Sequence, residues 1–100
     1  MRNFGTDKPD FMAFTVEGSD KVYKMPLGTS MPFAFRLQYQ AALAEEDQMK
    51  QELMLEQFQY DYLAKCMGKK AVESLSMATV QGIFQAWLEE SADNGATPGE

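Results

Sequence analysis

Histidine is absent from this chain of 100 residues, which removes the commonest general base and the commonest metal ligand together. Cysteine occurs once, at Cys66, so neither an intramolecular disulfide nor a structural zinc site can be built. No uncharged apolar run approaches the roughly 18 residues of a membrane span. The N-terminal MRNFGTDKPDF also lacks the apolar stretch of a secretory signal, so the chain reads as cytoplasmic. Basic residues are few: 9 Lys and Arg stand against 15 Asp and Glu, a net charge of −6. A phosphate backbone attracts the opposite balance, which argues against nucleic acid as a partner. The nearest approach to a basic stripe, Lys65, Lys69 and Lys70, falls at an expected helix end, where cations suit the helix dipole. The glycines are scattered, so no phosphate loop is present, and no carboxylate spacing matches a calcium loop. Ser74 and Ser76 have no histidine to activate them. These absences point away from an enzyme and away from a bound cofactor or metal.

What remains is ample material for a core. Hydrophobic residues make up 45% of the chain and aromatics 12%, so the composition is that of a globular domain. A core this small leaves room for a partner or a homo-oligomer to add stability, and the sequence does not choose between them. Residues 1–10 mix charge, Gly and Pro without a period and read as a flexible arm. The run FMAFTV from Phe11, the turn composition Glu17-Gly18-Ser19-Asp20 and the run KVYKM before Pro26 predict a β-hairpin over 11–26. Alternation places Phe11, Ala13 and Thr15 on one side, and Met12, Phe14 and Val16 on the other.

Helices follow over 32–90. Thr29 or Ser30 is a candidate cap for a first helix from Pro32 to about Glu46, with Phe33, Leu37, Ala41 and Ala44 along one face. A stretch from Asp47 to Met67 carries Leu55, Phe58, Tyr62 and Cys66 at helical spacing, widened by Met49, Leu53, Tyr60, Leu63 and Met67. Glu45-Glu46-Asp47 fits a kink, a turn or an exposed face, so one helix or two are both open. Gly68 suits a C-terminal cap. Lys70 to Leu75 reads as a helical turn. Ser76 can cap a last helix, in which Val80, Ile83, Phe84, Trp87 and Leu88 complete an amphipathic stripe. Gly82, inside that helix, suggests a neighbour in close approach. Residues 91–100 lack an apolar period and read as a disordered tail. The fold class is therefore α+β: an N-terminal hairpin and then a mainly helical domain of three to four helices, with the single domain over 11–90.

Candidate binding residues come from apolar groups placed for contact. Met54 lies off both stripes and is a surface candidate, whereas Met12, Met25 and Met67 read as core filler. Phe84, Trp87 and Leu88, near the chain end, fit either the core or a partner-binding surface. Cys66 sits on the Leu55-Phe58-Tyr62 stripe and reads as core rather than as a nucleophile. The acidic run from Glu45 to Asp61 is a solvated helix face or a steering surface for a basic partner.

The order of parts resembles a known family. An aromatic strand (Phe11 or Met12 with Phe14), then Gly18, then Tyr23 and Pro26, ahead of helices that end on one carrying Trp87, is similar to the tail assembly chaperones of siphophages. The resemblance covers roughly residues 11–90 and consists of pattern and order. It implies a bacteriophage protein of virion assembly that binds the tape measure protein and keeps it soluble while tail tube protein polymerises around it. It also implies action in the host bacterial cytoplasm, absence from the mature virion and, in many members, a longer form made by ribosomal frameshifting. Two other classes fit the residues: a different small phage structural or tail completion protein, and a small acidic inhibitor or antitoxin.

Overall fold

Two methionines directly across a strand pair start the core. In the computed structural model, which describes residues 1–2, 4 and 10–93 with side chains through Ser91, β1 (Phe11–Phe14) pairs antiparallel with β2 (Tyr23–Pro26). Met12 lies opposite Met25, and both are buried, as the period of two requires; Phe11 and Ala13 face outward. The hairpin is shorter than the apolar runs that signal it. Its reversal uses Gly18 at φ 88, a left-handed conformation, next to a Ser19 N–H donated to the Val16 carbonyl at 3.0 Å. A 3₁₀ turn over Gly28–Ser30 then leads to four helices: α1 (Phe33–Ala44), α2 (Gln48–Met67), α3 (Lys69–Glu73) and α4 (Met77–Asp93). The α+β class, a hairpin before a helical body, is what the sequence predicts.

Side-chain chemistry explains the breaks between helices. Residues 32–67 form two helices, because Asp47 leaves the helical conformation and its carboxylate accepts the N–H groups of Met49 (3.0 Å) and Lys50 (3.3 Å). Those are two of the donors a helix start leaves unpaired. At the other end of α2, Gly68 takes φ 93 and ψ 148 while its N–H reaches the Ala64 carbonyl at 2.9 Å. Ser76 Oγ accepts the Thr79 N–H at 3.1 Å and so caps α4, as its position predicts. Ser30 does not cap α1. Its Oγ accepts the Asp10 N–H at 2.9 Å, tying the entering chain to the turn, and α1 follows Pro32 without a side-chain cap.

An aromatic cluster joins the helices. Phe58 of α2 stands among Phe35 and Tyr39 of α1, Tyr62 of its own helix, and Phe84 and Trp87 of α4, with ring centroids 5.0–6.5 Å away. Those are separations at which tilted and edge-to-face rings attract. The hairpin is fixed to this cluster through one acceptor. The Pro26 carbonyl receives both the Tyr62 hydroxyl (2.8 Å) and the Trp87 indole N–H (2.7 Å). Burial makes each of those donors need a partner. The Asp61 carboxylate accepts from Gln38 Nε2 across the α1–α2 seam and from Gln57 Nε2 one turn earlier on α2, both at 2.9 Å.

Three expectations need correction. The stripe Phe33, Leu37, Ala41 and Ala44 faces solvent, not the core, and Phe35, Tyr39 and Ala42 supply the inner face of α1. Helix α1 is apolar nearly all round, so its spacing pattern fits two faces and periodicity alone cannot choose between them. Gly82 has no neighbour in close approach, since a Cβ built there meets nothing within 4 Å. Helix α4 also runs to Asp93, three residues into the segment read as a disordered tail. Residues 94–100 and most of the N-terminal arm lie outside the described residues.

The two glycines give opposite expected outcomes on replacement by alanine. Gly82→Ala, in open space within a helix, should stabilise by up to about 1 kcal/mol. Gly68→Ala also has open space but forces alanine into a conformation that costs roughly 1–3 kcal/mol. Urea midpoints of the two variants should move apart, one up and one down.

Candidate functional site

Helix α2 has two working sides. One is closed by α1, through Asp61 and through Gln51, whose Nε2 donates to the Leu43 carbonyl at 3.2 Å. The other opens onto a groove of about 660 Å³ between α2, α3 and the first turns of α4. Leu55 and Leu63 of α2, Val72 and Leu75 around α3, and Met77 and Val80 of α4 give it an apolar lining. The sequence explains its place. Gly68 ends α2 and turns the chain back, and the short α3 is followed by the Ser76 cap. The start of α4 is thereby held beside α2, but not flush against it.

The groove's charge is of one sign. Glu52 and Glu56, one helical turn apart, stand on its edge with Gln59 and Gln81, and no Lys or Arg lines it. The Tyr60 hydroxyl at this edge donates to Glu73 Oε2 at 3.0 Å, tying α2 to the end of α3. The Glu73 carboxylate, by accepting that bond and by its charge, holds the Tyr60 phenol above its ordinary pKa. Met49 and Leu53 precede Glu52 and Glu56 by three residues, so they continue the same face toward the start of α2. Both are strongly exposed, at 75% and 65%.

The four residues read from sequence as binding candidates divide evenly. Phe84 and Trp87 are buried in the aromatic cluster, 5% and 3% exposed, and offer no outer surface. Of their two readings, the core reading is the one the packing matches. Their stripe is what joins α4 to α1 and α2, so the same spacing that makes them conspicuous also sends them inward. Leu88, one position further round the helix, is 50% exposed, and Met54 is 36% exposed. The groove itself was not legible in advance. Leu55, Leu63 and Val80 read as helix stripe and Val72 and Leu75 fall in a short helical turn, and only the packing of three helices shows that a gap remains between them.

Nothing else among the described residues gathers reactive groups. No set of three or more His, Cys, Asp or Glu is placed to hold a metal ion. Cys66 is half-buried, and burial pushes its thiol up to about 11, with Lys65 only partly offsetting this. Near neutral pH it stays protonated, the unreactive form of a thiol. Burial likewise raises the Tyr62 phenol above its ordinary range, in keeping with a hydroxyl that must hold its proton to donate to Pro26. No described helix is long and apolar enough to cross a membrane.

No protein-family model, no curated protein and no solved structure matches the chain.

Proposed function

We propose that this protein is a non-enzymatic binding module, a tail assembly chaperone of a long-tailed bacteriophage that holds helical segments of the tape measure protein. The observation that carries the reading is the groove: an open apolar lining with glutamates on its edge, on a face of α2 that none of the other described residues covers. Helical partners lay apolar anchors spaced three and four residues apart into surfaces of this kind. The glutamates favour a segment with Lys or Arg beside its apolar stripe and disfavour an acidic one. The order of hairpin, Gly68 and Trp87-bearing helix supplies the family likeness that names the partner.

Geometry sets the stoichiometry of this reading. From Met49 to Leu63 the α2 face rises roughly 21 Å at about 1.5 Å per residue, which matches about 14 residues of a bound helix. A tape measure protein of several hundred residues therefore takes many copies. The chaperone acts in the host cytoplasm during assembly and is left out of the finished particle, and mass spectrometry of purified virions tests that part. Co-expression with the tape measure protein of the same phage tests the rest. The tape should move to the soluble fraction and co-purify in excess of one chaperone per chain. A tape that stays insoluble and never co-purifies would end the proposal.

A further inference from the structure

The outward face of α1 is a second apolar surface that no other described residue covers. Phe33 is 72% exposed and Leu37 51%, and Ala41 and Ala44 continue their row. It lies on the far side of α1 from the aromatic cluster, so it is separate from the groove. Two features of this row indicate what covers it.

The first is charge. Residues 21–44 contain no Asp or Glu, and carry Lys21, Lys24 and Arg36. The chain's −6 is thus +3 from this segment and −9 from the rest, since 9 − 3 = 6 basic residues there face all 15 acidic ones. Two copies approaching through any acid-rich face repel one another. Approach through α1 brings together a face with no carboxylate and a single cation, Arg36, within the helix.

The second is shape. Along α1 the outward row reads large, large, small, small: Phe33, Leu37, Ala41, Ala44. A parallel pairing of two such helices sets bulk against bulk at one end and leaves a void at the other. An antiparallel pairing about a two-fold axis sets Phe33 against Ala44 and Leu37 against Ala41, twice over. Knobs then meet holes along the whole row, and the axes can close to about 8–10 Å. Opposed helix dipoles also align favourably in that arrangement. A self-complementary patch of this kind is what an isologous dimer requires.

We infer that this chain forms a two-fold dimer through the outward face of α1, packed antiparallel against α1 of a second copy. One helix of about 18 Å from each copy makes a small interface, at or below about 1,200 Å² in total, so the dimer is weak and concentration-dependent. The grooves stay open, one on each copy, and the dimer presents two of them.

Sedimentation equilibrium on the full chain, carried into the high-micromolar range, tests this. The wild type should pass from monomer to dimer with rising concentration. Leu37→Glu and Ala41→Glu, both at exposed positions, should remain monomeric throughout, with unchanged far-ultraviolet circular dichroism. In a Cys66→Ser background, a mixture of Phe33→Cys and Ala44→Cys chains should oxidise mainly to the mixed disulfide. A wild type that stays monomeric at every concentration would overturn the inference. So would a dimer that survives both glutamate variants, or preferential crosslinking of Phe33→Cys to itself. Loss of tape binding by Leu37→Glu without any wild-type dimer would assign the face to the partner instead, and would equally overturn it.

Discussion

Trp87→Ala is expected to remove roughly 3–5 kcal/mol of stability, the range for deleting a large buried aromatic. Trp87 is 3% exposed, and its ring meets those of Tyr39, Phe58, Tyr62 and Phe84 at 5.7–6.5 Å between centroids. Its indole N–H also holds the hairpin through Pro26. A small domain has only about 5–15 kcal/mol in total, so the variant should be partly unfolded at body temperature and melt far below the wild type. Trp87→Phe separates the two contributions. It keeps most of the ring, and the Pro26 carbonyl keeps its Tyr62 donor, so the lost hydrogen bond should cost only about 1 kcal/mol beyond any packing defect. Urea denaturation of the three proteins should show one small step and one large one. A Trp87→Ala protein as stable as wild type would mean that Trp87 is not held where the packing places it.

Reversing the groove's charge is expected to have the largest effect on binding. Glu52 and Glu56 are both exposed, and among the described residues neither carboxylate has a hydrogen-bond partner, so Glu52→Lys/Glu56→Lys should leave stability within about 0.5 kcal/mol of wild type. If a basic-flanked apolar helix seats in the groove, the double variant replaces two attractions by two repulsions. Affinity for the tape measure protein should fall at least about tenfold, equivalent to roughly 1.4 kcal/mol. The loss should shrink as salt is raised, because exposed charges are screened over about 8–10 Å near physiological ionic strength. Isothermal titration with soluble tape fragments at two salt concentrations reads both quantities. Unchanged affinity at low salt would place the partner elsewhere on the surface.

The sequence carried the hairpin, the end of α2, the start of α4 and most of the core, for reasons that are local. Gly18 marks the turn and Gly68 the end of α2, Ser76 marks a helix start, and Met12 opposite Met25 follows from a period of two, whereas the cap at Asp47 is settled only by its contacts with Met49 and Lys50. It misled where a pattern had two solutions. In α1 the row from Phe33 to Ala44 and the row of Phe35, Tyr39 and Ala42 are both apolar, and only the aromatic partners on α2 and α4 decide which turns inward. The same limit applies to the binding residues. Phe84 and Trp87 are conspicuous in sequence because cores use such residues, whereas the groove is made of ordinary Leu, Val and Met whose role depends on a gap between helices. Exposed glutamates on α2 read as a solvated face until Val72, Leu75 and Val80 are seen beside them.

Whether the groove between α2, α3 and α4 receives the partner can be read from amide hydrogen exchange on the purified complex with the tape measure protein. Exchange reports which backbone segments become harder to open when a ligand binds. New protection is expected over residues 49–63 and 72–81, which carry the groove lining and its extension, with little change over 33–44 beyond that of the free protein at the same concentration. Protection confined to residues 33–44, with the groove segments exchanging as in the free chain, would contradict it.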